Sequence, residues 1–154
     1  MTPHPGPPAP QAAAPPVDRA AVDRALAAVR ALIAARGAER RHHVAAAVIT
    51  ADGRHFLGIS LESALGWASI CAEPVAIGRA LLDAPAVAIT ACLAVNRAGE
   101  IVPPCSRCRE TLADFAPSAR VALPEAGGYR LVPLTDLMPH AYKAALRFGA
   151  GRQE

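Results

Sequence analysis

Residues 71–108 read CAEPVAIGRALLDAPAVAITACLAVNRAGEIVPPCSRC. The segment opens on Cys71-Ala72-Glu73 and closes on Pro104-Cys105-Ser106-Arg107-Cys108. From Cys71 to Leu82 it reads as a helix. Pro74 would break a helix interior, but the first turn has no backbone bond for it to remove, so Cys71 belongs at or just before the helix start. Residues 86–95 are apolar and rich in Val, Ile and Ala, which predicts a central strand. Cys92 lies inside it and reads as a small buried core residue. A second helix is predicted from about Cys105 to Phe115, and the x-x spacing puts both of its thiols in the first turn. Two helix starts therefore converge on one point with three thiols. Three thiolates leave a tetrahedral zinc with one open position, which distinguishes a catalytic site from a closed structural one. A water at that position is acidified to near neutral pH. Glu73, two residues after the first thiol, is placed to move protons without being a ligand. The positive ends of both helix dipoles favour thiolate there.

The flanking chain supplies the rest of the layer. Residues 1–16 hold seven prolines and almost no charge, which predicts a disordered tail. Val22, Leu26, Val29 and Ile33 recur at helical intervals, with Asp18 as N-cap and Gly37 as stop. Residues 43–50 read as a buried strand, Asp52-Gly53 as a hairpin turn, and His55 to Leu61 as the returning strand. Residues 62–69 form a loop. Short strands are predicted at 119–123 and 129–133, around the turn 125–128, then a last helix from Thr135 to Phe148. The order predicts an α/β fold: a mixed central sheet of about five strands flanked by helices. The domain is expected over 17–148, with 149–154 as a flexible C-terminus.

Composition bounds the function. At 154 residues and 53% hydrophobic, the chain has room for one domain with a real core. No apolar run reaches the length of a membrane span. The N-terminus lacks a basic n-region and an apolar h-region, so it does not read as a secretory signal. A cytoplasmic protein is expected, and there four cysteines argue for metal or catalysis rather than disulfides. The net charge of +3, without a basic run interleaved with aromatics, gives no case for a polynucleotide partner.

Cys71-x-Glu73 followed by Pro104-Cys105-x-x-Cys108 resembles the zinc deaminase signature, with Cys in the first ligand position. From about His42 to Tyr142 the chain is similar to the cytidine deaminase family, most closely from Gly53 to Ile77. The Cys-first form resembles the small homotetrameric branch, whose active sites lie at subunit interfaces and which includes blasticidin S deaminases. The resemblance implies a cytidine-deaminase-like layered fold and one Zn²⁺ per chain on Cys71, Cys105 and Cys108. It implies Glu73 as proton shuttle and Glu62 as the carboxylate that binds the ribose 3′-hydroxyl. It puts the backbone around Ala72 and Pro103 on the pyrimidine edge and leaving amine. It also places His42, Phe56, Ser60 and Tyr142 among the substrate-binding positions.

This sequence departs from the family in its substrate shell. Ser60 stands where the family has Asn, and His42 where a Phe usually packs on the substrate. Pro74 replaces an Arg that offsets the thiolate charge, Ser106 a Gly, and Glu110 a Gln. Three thiolates and hydroxide around zinc sum to about −2, so some cation must offset them. Arg109 is the favoured candidate, and Arg107, between two of the ligands, reads equally as a solvated surface charge. The function expected is zinc-dependent hydrolytic deamination of cytidine, deoxycytidine or a close cytosine nucleoside. The alternatives are deamination of another amino-heterocycle, such as blasticidin S or a free base, and a non-catalytic zinc-stabilised binding protein. Ser60, shorter than Asn, predicts weak cytidine binding.

Overall fold

Five strands form one sheet in the order β2-β1-β3-β4-β5. The computed structural model describes residues 16–37 and 41–141. The elements are α1 (Arg19–Arg36), β1 (Val44–Thr50), β2 (His55–Ile59), α2 (Ala72–Asp83), β3 (Ile89–Asn96), α3 (Ser106–Phe115), β4 (Arg120–Glu125) and β5 (Gly128–Pro133). β1 runs antiparallel to both β2 and β3, β3 and β4 are parallel, and β4 and β5 are antiparallel. The sheet is therefore mixed and five-stranded, as the sequence predicts.

The period-two alternation of the strands divides the core into two layers. Ala45, Ala47, Ile49, Ala91, Leu93 and Val95 face α1 and pack on its Val22, Leu26, Val29 and Ile33. On the other face, Val48, Cys92 and Val121 meet Ala76, Ile77 and Ala80 of α2 and Leu112 of α3. Asp18 caps α1 through a bond from Ala20 N–H to its carboxylate at 2.9 Å. Gly53 closes the β1–β2 hairpin with φ of 80°.

Three small residues fix how α2 meets the sheet. Ala72 packs on Ala46 and Ala94, all within 2% of full burial. Beside them, a Cβ on Gly58 would run into the carbonyl of Ala72 and stand 2.5 Å from Ala76 N. Strand β2 thus lies against the backbone of the first turn of α2, an approach only glycine allows. The Cys71 end of the helix is seated by this contact.

β3 starts at Ile89 rather than residue 86, β4 runs on to Glu125, and two further elements differ for identifiable reasons. β2 stops at Ile59 rather than Leu61, because Leu61 turns away to exchange backbone bonds with Ile70. In place of a helix starting at Thr135, there is a single 3-10 turn at Leu134–Leu137. Pro139 is the cause: it has no N–H to donate, and it disfavours helical geometry at Met138, which sits at φ −139°, ψ 55°. Residues 1–15 of the predicted tail, and the rest of that helix including Tyr142, lie outside the described residues. Among the described residues no helix is long and apolar enough to cross a membrane.

Candidate metal centre and active site

Cys71 is the N-cap of α2 and Cys105 the N-cap of α3, both in extended backbone geometry and neither using its side chain to cap. Their sulfurs are therefore free to point at a common ligand. Different devices deliver them. Cys71 follows the Leu61–Ile70 bridge, which closes the base of the 62–69 loop. Cys105 follows a second bridge, Val95–Ile101, which folds the chain back along the end of β3, with Val102 N–H bonded to Ala94 O at 3.0 Å. Cys108, in the first turn of α3, is buried.

The three Sγ atoms all lie within 4.8 Å of one another. Cys71 and Cys105 stand 3.7 Å apart, and Cys105 and Cys108 3.5 Å. A tetrahedral zinc with bonds of about 2.3 Å needs sulfurs about 3.8 Å apart. Both of these separations are close to that value. Among the described residues this is the one cluster of three or more His, Cys, Asp or Glu side chains able to hold a metal ion.

Glu73 is 4% exposed and faces the cluster from the first turn of α2. Burial pushes the Cys108 thiol far up, and the charge of Glu73 and hydrogen bonds from its neighbours add to that. Burial also raises Cys105, but hydrogen bonds from the backbone and thiol of Cys108 and from Cys71 outweigh it and the thiol is lowered. Burial raises Cys92, and it remains a core residue beneath Glu73. Three thiols converging beside a buried carboxylate are a donor set that zinc prefers.

Arg107, not Arg109, meets the sulfurs. Its Nη2 donates to Cys71 Sγ at 3.5 Å and to Ser69 O at 2.8 Å, so α3 reaches across to the ligand on α2. The bond to Cys71 holds its guanidinium still more firmly charged. Arg109 is spent elsewhere: Nε donates to Pro104 O at 3.1 Å and Nη1 to Leu137 O at 3.0 Å. It ties the entry of α3 to the turn after β5. Helical geometry explains the correction, since residues two and four past Cys105 leave the first turn on opposite sides.

A cavity of about 200 Å³ opens on the cluster. It is lined by Cys71, Glu73 and Cys105, by Ser60, Glu62 and Pro103 from the predicted substrate positions, and by Arg107. Val44, Ile70 and Val102 supply apolar wall that the sequence reading did not single out. Val44 was within its reach, being on the same face of β1 as Ala46 and Val48. Three predicted substrate positions are not in this wall. Phe56 is 8% exposed and packs in the core under α2, with Arg54 over its ring at 5.5 Å. It shares a strand face with Ser60 but sits four residues back, roughly 13 Å away. His42 bonds through Nδ1 to Ser60 O at 2.7 Å and does not line the cavity. Ala72 spends its side chain in the contact with Ala46 and Ala94.

A cavity walled by thiols and a buried acid at the end of this sheet is the signature of a zinc-dependent aminohydrolase. The chain belongs to the cytidine and deoxycytidylate deaminases: the family model of their zinc-binding region matches residues 19–123. It is 31% identical to a blasticidin-S deaminase of Bacillus cereus over 111 residues, covering 68% of this chain and 79% of that protein. It is 30% identical to a cytidine deaminase of Halalkalibacterium halodurans over 130 residues, covering 80% and 96%. Among solved structures, the cytidine deaminase of Mycobacterium leprae superposes with a TM-score of 0.64 at 28% identity, covering 77% of this chain and 97% of that one. The Bacillus anthracis cytidine deaminase gives 0.65 at 26% identity, covering 80% and 90%.

Proposed function

We propose that the protein deaminates a cytosine nucleoside, cytidine or deoxycytidine or a close relative, with water as co-substrate and ammonia and the uracil nucleoside as products. The carrying observation is a shared cavity: buried Glu73 stands beside the three thiols, and Glu62 lines the same wall with its Oε2 buried and unpartnered among the described residues. Cys71, Cys105 and Cys108 would hold the zinc, whose chemistry is to acidify a water at its open position and polarise the developing oxyanion. Glu73 takes one proton from the attacking water and passes it to the ring nitrogen next to C4 as the C4–O bond forms. It then takes the second proton from the new C4 hydroxyl and delivers it to the exocyclic amine, and the C4–N bond breaks to release ammonia. General acid–base work of this kind is worth roughly 10²–10⁴-fold. Arg107 balances the thiolates, and the apolar wall of Val44, Ile70 and Val102 holds the ring away from bulk water. Glu62 Oε2 accepts from a sugar hydroxyl. The backbone of Ala72 and of Pro103 lies at the pyrimidine edge, and Tyr142 is proposed to cover the base. We further propose a homotetramer in the cytoplasm, to be checked by light scattering.

A second reading, deamination of blasticidin S, is favoured by the identity to the Bacillus cereus enzyme. The deciding experiment measures ammonia release from cytidine, deoxycytidine, blasticidin S and free cytosine by the zinc-loaded protein. Highest kcat/KM on cytidine or deoxycytidine supports the first reading, and on blasticidin S the second. No release from any of them overturns both.

A further inference from the structure

Ser60 is 4% exposed, and its hydroxyl is fully committed. Oγ accepts from His43 N–H and from Val44 N–H, each at 3.0 Å, and donates to Glu62 Oε1 at 2.7 Å. One donor and two acceptor sites are all that a hydroxyl has. None is left for a ligand, so Ser60 does not serve as a shortened ribose partner, although it lines the cavity.

The consequence falls on Glu62. Its Oε1 takes the Ser60 bond, a second from His43 N–H at 3.3 Å, and the approach of His43 Nδ1 at 3.6 Å. Its backbone N–H is held by Arg41 O at 3.1 Å. Its Oε2 is buried and has no partner among the described residues. A buried carboxylate oxygen without a donor is costly, and sites keep one only where something else satisfies it. The two carboxylate oxygens are thus sorted by the protein: one is tied to the start of β1 through Ser60, and the other is left buried and unpartnered on a residue that lines the cavity.

We propose that Ser60 is a positioning residue, which fixes the Glu62 carboxylate so that Oε2 alone reads a donor group on the ligand. The chemical class read there is a hydroxyl donor of a sugar, a step that rests on the nucleoside reading above. Recognition through a single acceptor makes ligand binding, rather than the chemical step, depend on Ser60.

The test uses the zinc-loaded full chain. The crystal structure of ligand-free Ser60→Ala is expected to show the Glu62 carboxylate in a different rotamer, because its strongest anchor is gone. A Glu62 unmoved in that variant overturns the positioning role whatever the substrate is. In kinetics, Ser60→Ala is expected to raise the cytidine KM roughly 10-fold with kcat within about twofold, and Ser60→Thr, which keeps the hydroxyl, to restore it. Inhibition by free cytosine, which has no sugar, should be unchanged. A fall in kcat with KM intact, or an equal loss for cytosine, overturns the proposal. Glu62→Gln keeps an oxygen for Ser60 and replaces the open acceptor, so it should hold its fold and lose nucleoside binding; undiminished binding overturns the role of Oε2. If the wild type binds no cytosine nucleoside at all, the nucleoside reading fails, and the Ser60→Ala crystal structure still decides whether Ser60 positions Glu62.

Discussion

Arg107 reaches Cys71 from a different helix, with Nη2 3.5 Å from Sγ. The guanidinium at this sulfur therefore comes from between Cys105 and Cys108, while Pro74 occupies the first turn of α2. The same guanidinium bonds Ser69 O, so it also ties the loop before Cys71 to the start of α3.

Arg107→Ala should keep the fold and lower zinc affinity and kcat/KM by roughly 10–100-fold, the usual cost of losing a partner that orients a metal ligand. Arg109→Ala should do the reverse. It frees two backbone carbonyls, Pro104 O and Leu137 O, and should lower the melting temperature while activity per bound zinc stays near wild type. Zinc titration, melting curves and steady-state kinetics on the two variants separate these roles. Equal zinc affinity in Arg107→Ala and wild type would remove Arg107 from the charge balance.

Glu73→Gln should keep zinc and fold and lose turnover by roughly 10²–10⁴-fold, because the amide cannot accept and return a proton. Glutamine is close in volume to glutamate, so a buried position with 4% exposure should tolerate it. The check is metal content and kcat on one preparation. Substantial turnover in a metal-replete Glu73→Gln protein would take Glu73 out of the mechanism.

The three thiols can be told from the fourth by metal analysis. Cys105→Ala should lose nearly all zinc and destabilise the domain, since metal binding here is also folding free energy. Cys92→Ala should keep its zinc. Cys92 is buried in β3 and packs within the layer under α2 and α3, so its loss costs core contacts only. Full zinc occupancy in Cys105→Ala would sink the ligand assignment.

What the sequence displayed well was local. Cys71 and Cys105 as helix starts follow from Pro74 and from the pair of prolines before Cys105, and Asp18 and Gly37 bound α1 as their types predict. The convergence of the thiols was legible because ligand type and spacing encode it. Arg107 was not separable from Arg109, because which neighbour reaches a sulfur depends on the angle between two helices that are not adjacent in sequence. Phe56 and His42 were drawn into the substrate shell by resemblance. The depth of Phe56 beneath α2 and the bond from His42 to Ser60 O depend on strand register instead. Ser60 read as a loss because it is shorter than Asn, whereas its hydroxyl is spent on Glu62 and on the backbone of His43 and Val44 at the start of the neighbouring strand.

Gly58 offers a test of how the helix start is positioned. A Cβ there would collide with the carbonyl of Ala72 and stand 2.5 Å from Ala76 N, and both are backbone that cannot swing aside as a side chain does. Gly58→Ala must therefore lift the first turn of α2 from the sheet or distort β2, at a cost of about 1–3 kcal/mol or more. The first turn of α2 carries Glu73 and follows Cys71, so the displacement reaches the site directly. The variant should lose melting temperature, zinc affinity and activity together. Gly78 is the matched control: it is exposed on the same helix, with nothing within 4 Å of a Cβ placed on it. Gly78→Ala should stabilise by about 0.5–1 kcal/mol through helix propensity alone, leaving zinc affinity unchanged. Thermal melts and zinc titration on both variants provide the comparison. If Gly58→Ala binds zinc as tightly as wild type while Gly78→Ala does not, the seating of α2 on β2 does not control the metal centre.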